Sequence, residues 1–399
     1  MAGGFSLKDD LFNAETVGGL AARFRANDPG FDPGFEGRVL ARFPELELKQ
    51  RIDWIAECLV EALPDDFPTA AGVIEAALPP PLDPTRRDDD FGSFIYAPLG
   101  EVAVKRGLED HRDRALDLLE QVTQRFSMEY AIRPFLNRWP EETLARLTQW
   151  ADHPHYHVRR LVSEGTRPKL PWGIGITLAP GAAMPLLDRL HADPTRFVTR
   201  SVANHLNDIS KVDARPVLGA LNRWKKAGDQ RPDELAWMTR HALRDLVKKG
   251  HPGAMSLLGY RMEAIIDADL SLPDTARIGE ALDFSVTLTC AEDQPILVDY
   301  AIGFIRPTGV RRKVHKLSVT GLKAGQPLTL TKRHRLPADA TTYSLHPGPH
   351  EVELIVNGRI RAAGIVTFDN EQFRAERHLG LITASGMTKA PREIAGPFV

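Results

Sequence analysis

Two cysteines in 399 residues, Cys58 and Cys290, are too few and too far apart for a disulfide framework, a thiol redox pair or a cysteine metal cluster, so a reducing, cytoplasmic setting is expected. No stretch approaches the roughly twenty apolar residues of a membrane-spanning helix, and Met1 to Asp10 lacks the apolar run of a signal peptide. Tryptophan is scarce as well: all six lie before residue 260, which already sets the last third of the chain apart. Net charge is almost absent at -2, yet the balance hides a segregation. Residues 1–152 carry 17 Lys and Arg against 28 Asp and Glu (-11), residues 153–250 carry 17 against 9 (+8), and the remainder 17 against 16 (+1). A basic island between an acidic and a neutral segment reads either as a phosphate-binding stripe or as a solvated, salt-bridged helix surface.

That island also repeats. His153-Pro154 followed by Val158-Arg159-Arg160, Asp193-Pro194 followed by Val198-Thr199-Arg200, and Asp233-Glu234 followed by Met238-Thr239-Arg240 recur at a spacing of 40 residues. A helix recurring at this period, with arginine always at the same turn, indicates an α-helical repeat array. Outer helices are predicted near 113–126, 141–152, 182–191, 213–226 and 252–258, and inner helices near 128–138, 155–166, 194–210 and 233–249. Between the second and third inner helices lies a Pro- and Gly-rich insertion, 167–181, of the kind that loops out on a functional face. Upstream, 46–63 has helical spacing, and 79–90, with its three consecutive prolines, is a loop.

After Tyr260 the period becomes two. Segments 277–290, 294–305, 314–319, 328–336, 350–356 and 360–367 alternate apolar and polar residues between turn signals, which predicts a β-sandwich of immunoglobulin type. The disulfide-and-Trp core of antibody domains is missing from it. The expected organisation is therefore multidomain: an all-α HEAT-like repeat solenoid over residues 1–258, an immunoglobulin-like β-sandwich over 259–370, and a tail, 371–399, to which no structure is assigned. A sandwich at the end of a repeat array either reaches across its groove, with Arg311, Arg312, Lys313 and Lys316 as the contacting cations, or is a stabilising appendage or protein-interaction module.

On the inner helices, carboxylates recur one turn from a basic or polar partner: Glu129 with Arg133, Glu164 with Arg160, and Asp208 with Asn204 and Arg200. Because Val158, Leu161 and Val162 occupy another stripe, Arg160 and Glu164 are expected to point away from the core. Three such acids on neighbouring helices converge in one basic concavity, or they are ordinary surface ion pairs of about 0.3–0.5 kcal/mol each. His153, His155 and His157 lack a third-ligand cluster and read as a helix start, so no metal and no cofactor is expected.

The strings SMEYAIRPFL (127–136), VRRLVSEGTRPKLPW (158–172) and SVANHLNDISK (201–211), with LKDDLFN (7–13) and LELKQRI (46–52), resemble the AlkC family of alkylation-repair DNA glycosylases over about residues 5–258. A following sandwich resembles the subgroup with an immunoglobulin-like domain. The resemblance implies hydrolysis of the N-glycosidic bond of cationic alkylated bases, notably 3-methyladenine and 3-methylcytosine, without burying a flipped base. It also implies double-stranded DNA as partner, and a monomer that is nucleoid-associated when bound. Carried over by motif, Glu129, Glu164 and Asp208 are the catalytic acids and Trp172 the aromatic beside the lesion. Arg133, Arg159, Arg160, Arg167, Lys169, Arg200, Asn204, Lys211, Arg240 and Arg244 are the candidates for holding DNA. The competing reading is a non-catalytic HEAT-type scaffold that binds nucleic acid or protein through the same groove.

Overall fold

The computed structural model describes residues 6–88, 90–340 and 343–370; the expected tail lies outside them. It divides into two compact units between Asp245 and Leu246.

The first unit is a stack of helix pairs: α1 (Leu7–Leu11), α2 (Ala14–Asn27), α3 (Phe35–Ala41), α4 (Leu48–Ala62), α5 (Phe67–Ala77), α6 (Ala97–Gly107), α7 (Arg112–Thr123), α8 (Ile132–Arg138), α9 (Pro140–Trp150), α10 (Tyr156–Gly165), α11 (Met184–Leu190), α12 (Arg196–Ser210), α13 (Ala214–Ala227) and α14 (Pro232–Ala242). Local chemistry sets many of the ends. Asn13 caps α2 with a reciprocal Thr16 bond, Asp66 caps α5, and Asp213 caps α13, which stops at left-handed Gly228. Apolar stripes such as Ile55 and Leu59 of α4, or Val198, Val202 and Leu206 of α12, are fully buried. Each such side chain contributes about 1.5–3 kcal/mol of transfer free energy. Helix α12 packs between α10 and α14, so the three arginine-bearing repeats are neighbours in space as in sequence.

Two details depart from the sequence reading. The inner helix expected from residue 128 starts only at Ile132, because Pro134 lacks an N–H and fits no deeper than the first turn. Glu129 therefore sits on an irregular segment, and the expected i,i+4 pair with Arg133 does not form. The long helix expected over 233–249 breaks after Ala242 into α14 and the short α15 (Arg244–Lys248).

In the second unit α16 (Pro252–Leu257) precedes β1 (Ile266–Ser271), β2 (Thr275–Arg277), β3 (Ala281–Cys290), β4 (Gln294–Arg306), β5 (Gly309–Leu322), β6 (Leu328–Arg335), β7 (Gly348–Val356) and β8 (Arg359–Asp369). Left-handed Gly250 approaches the Gly358 backbone so closely that a Cβ there would lie 2.6 Å from the Gly358 carbonyl oxygen, and this packs α16 onto the β unit. The strands form a three-stranded sheet, β1-β3-β6, and a five-stranded sheet, β2-β8-β7-β4-β5, with β2 parallel to β8 and the other pairs antiparallel. Strands β1 and most of β2 were missed in the sequence because they are short and rich in Asp and Thr. Between the sheets, where an immunoglobulin core usually holds Trp and a disulfide, Tyr300 fills the space. It is 1% exposed, edge-on to Phe284 at 5.1 Å, and its hydroxyl meets His334 Nδ1 at 2.7 Å. Both cysteines are buried thiols.

Candidate active site

Three of the residues singled out in the sequence are brought into one continuous row. Glu129, ahead of α8, accepts from Arg160 Nη1 of α10 at 2.6 Å, and the same guanidinium donates to Ser127 Oγ at 2.8 Å and lies 4.6 Å over the Phe197 ring. One turn on, Glu164 Oε1 sits 3.8 Å from Arg160 and accepts from Arg167 Nη1 at 2.6 Å. Arg167 then bridges to α12, where its Nε and Nη2 reach Asp208 Oδ2 at 2.9 and 2.8 Å. Lys211 closes the row, 3.1 Å from Asp208 and 3.3 Å from Asp245. Carboxylates and cations thus alternate across three helix pairs.

Burial separates this row from a surface ion-pair ladder. Side-chain exposure is 15% for Glu129, 7% for Glu164, 4% for Asp208, and 14% and 11% for Arg160 and Arg167. The expectation that Arg160 and Glu164 point away from the core is corrected: the stripe they occupy is covered by α12. On its other side α10 meets α8 closely at Gly165, where a Cβ would lie 2.5 Å from Ile132 Cγ2. Burial opposes the charge on Glu164, but Arg160, Arg167 and the Ser201 hydroxyl outweigh it and hold this carboxyl below the usual range. Beside Glu129, burial and the adjacent carboxylate push the Tyr130 phenol up to about 12.

Other expected site residues do different work. Arg133 is 1% exposed, and it donates to the carbonyls of Ile174 (2.6 Å), Gly165 and Arg167 (2.9 Å each). Arg159 binds Asp193 at 2.6 Å and the carbonyls of His153 and Pro154. In this structure both tie neighbouring backbone together through most of their donors. Arg167 bridges two acids, and Arg200 pairs with Asp88 from the 79–90 loop. Asn204 accepts from His241 Nε2 at 2.8 Å and Arg244 Nη2 at 3.2 Å, so these residues form a side network on α12, α14 and α15. Lys169 and Arg240 are exposed. His155 and His157 hold the 79–90 loop through the carbonyls of Leu82 (3.0 Å) and Asp90 (2.9 Å).

Trp172 is 58% exposed with a positive φ of 64° on the insertion loop. The loop is fixed beneath it: Lys49 Nζ donates to the Trp172 carbonyl at 2.8 Å, Arg133 to Ile174, and Asn137 Nδ2 to Gly175 at 2.9 Å. Trp172 and Tyr130 line one cleft of about 240 Å³, and Tyr130, Glu129, Arg160 and Phe197 line a second of about 340 Å³ next to it. The sequence reading missed Ser127, Ser201 and His205. For Ser201 and His205, a hydroxyl and an imidazole inside the otherwise apolar face of α12 were the available signal; Ser127, ahead of α8, offered none.

The C-terminal immunoglobulin-like family described from the uncharacterised protein YhaZ matches residues 267–369. The chain is 31% identical over 360 residues to YhaZ of Bacillus subtilis (strain 168), covering 88% of this chain and 96% of that protein. Among solved structures it resembles the Pseudomonas fluorescens alkylpurine DNA glycosylase AlkC bound to DNA containing an abasic-site analog, with a TM-score of 0.80 and 32% identity over 92% of this chain and 100% of that one. Identity at this level over nearly the full length of both partners leaves one assignment: the chain belongs to the AlkC family, in the branch that carries a C-terminal immunoglobulin-like domain.

Proposed function

We propose that the protein is a DNA glycosylase that hydrolyses the N-glycosidic bond of cationic alkylated bases, with 3-methyladenine and 3-methylcytosine as substrates. The observation that carries this reading is the gathering of Glu129, Glu164 and Asp208 from successive helix pairs into one water-poor row, in a chain that matches a DNA-bound AlkC along nearly its whole length. A 3-methylated base already carries positive charge and leaves without a general acid, so the deoxyribose gains oxocarbenium character as the bond breaks. Fixed carboxylates beside that cation stabilise it, and one of them orients or deprotonates the attacking water. A phosphate-binding scaffold, the competing reading, gains nothing from three buried acids.

Incubating the protein with methylated duplex and separating the released bases tests the reading. Release of 3-methyladenine and 3-methylcytosine is expected; DNA that is bound but yields no free base leaves only the scaffold. The cations divide by commitment. Lys169→Gln and Arg240→Gln, both exposed, should each flatten the dependence of log affinity on log salt by about one ion. Arg159→Gln should leave that slope alone, because its donors are already satisfied. An unchanged slope in the first two variants would remove them from the DNA interface.

On the sandwich, Arg306, Arg311, Lys313 and Arg335 surround a cleft of about 500 Å³ that also holds His315 and His334. We assign this cleft to the phosphate backbone. Arg312, expected to join them, is paired with Glu353 at 2.6 Å.

A further inference from the structure

Behind Glu164, away from the two clefts, lies a polar seam between α10 and α12 that the ion pairs do not explain. Ser163, Ser201 and His205 are 0%, 2% and 0% exposed. Ser201 Oγ is 2.6 Å from Glu164 Oε2 and 2.9 Å from Ser163 Oγ, and His205 Nδ1 is 3.0 Å from the Ser163 carbonyl. One hydroxyl proton cannot serve two acceptors. The carboxylate can only accept, so the Ser201 proton goes to Glu164 and the Ser163 hydroxyl turns its own proton toward Ser201. A carbonyl likewise only accepts, so His205 carries its proton on Nδ1, while its Nε2 is buried without a hydrogen-bond partner among the described residues. Burial, with Arg167 nearby, holds this imidazole neutral, its pKa lowered to about 4. The result is two hydroxyls in series aimed at one oxygen of Glu164.

We propose that Ser201, supported by Ser163, is a positioning residue that fixes the direction and the ionised state of Glu164 for the glycosylase reaction. The inference rests on the function proposed above and deepens it. The charged and titratable groups facing Glu164 are Arg160 on its own helix, Arg167 after it, Tyr130 and Arg133 from the 127–138 segment, and His205 from α12, with Asp208 reached through Arg167. Both arginines bind or approach Oε1. Among the described residues only Ser201 is bonded to Oε2, so without it that oxygen has no hydrogen-bond donor and the carboxylate is held through Oε1 alone. A hydrogen bond to a charged group inside a protein is strong enough that its loss lowers a rate depending on that group by roughly tenfold to a hundredfold.

The test uses the full chain with Ser201→Ala, Ser201→Thr and Ser163→Ala. Single-turnover release of 3-methyladenine should fall roughly tenfold to a hundredfold in Ser201→Ala, with affinity for abasic-site DNA unchanged and the acid limb of the rate–pH profile moved to higher pH, because the ionised form has lost a donor. Ser201→Thr restores the hydroxyl and should restore the rate. Ser163→Ala should move the profile the same way by less, and it decides the matter if the threonine variant does not fold. A folded Ser201→Ala with the wild-type rate and profile overturns the proposal, as does a Ser163→Ala without any shift when the threonine variant is unfolded. If wild-type protein releases no base, the glycosylase reading fails by itself. The seam is then judged by carbon-13 carboxyl titration with the Glu164 signal assigned from Glu164→Gln: a signal that titrates higher in Ser201→Ala upholds the positioning, and an unmoved one ends it.

Discussion

Under the proposed function, Glu164→Gln is expected to lower single-turnover release of 3-methyladenine by about a hundredfold to a thousandfold while affinity for abasic-site DNA stays nearly constant. The amide keeps the volume of the side chain; its oxygen accepts from Arg167 and its NH2 donates to the Ser201 hydroxyl oxygen, so the row keeps its shape and loses one negative charge. That charge acts on the cation that develops in the transition state and only weakly on the neutral abasic product or on phosphate, so the loss appears in the rate and not in binding. Asp208→Asn is expected to behave alike, since its side chain is as deeply buried, at 4% exposure. Glu129→Gln should be milder, because at 15% exposure solvent screens more of its field. Wild-type rates in folded Glu164→Gln and Asp208→Asn proteins would remove this row from catalysis and make it a structural network.

The second large effect is on stability. Arg167→Met removes the cation shared by Glu164 and Asp208 and should cost about 3–5 kcal/mol, as when one member of a buried pair is lost. The loss depends on pH in a definite direction. Glu164 has a folded pKa held below its unfolded value, so in the wild type its ionisation contributes stability above the unfolded value that disappears as pH falls through the folded one. Without Arg167 that depression shrinks, so the gap between wild type and variant should be widest near neutrality and narrow as the carboxyl protonates in acid. Urea denaturation at pH 7 and at pH 4 measures both gaps; equal gaps would mean that Arg167 stabilises by packing and not through charge.

Much of the fold was legible because it is periodic. Arg160, Arg200 and Arg240 announce the repeat, the change from period 3.6 to period 2 after Tyr260 announces the sandwich, and the three acids fall on the segments that meet. What stayed hidden is whatever depends on three-dimensional cover. An arginine at the right turn looks the same whether it is exposed, like Arg240, or is buried against three carbonyls, like Arg133. The spacing that paired Glu129 with Arg133 assumed a helix that Pro134 delays, and the true partner, Arg160, lies on the next inner helix. The burial of Glu164 and Asp208 comes from α12 closing over α10, a contact no local pattern contains.

The pinned loop under Trp172 bears on how quickly a ligand is captured. With the backbone on both sides of the indole already tied to Lys49, Arg133 and Asn137, an arriving ligand has only the two side-chain torsions of the tryptophan left to order. Freezing a loop residue costs roughly 1–2 kcal/mol of backbone entropy, and here folding has already met that cost. Under the proposed function, encounter at Trp172 is expected to be set by diffusion and steering and not by a search among loop shapes, which suits repeated brief contacts with DNA.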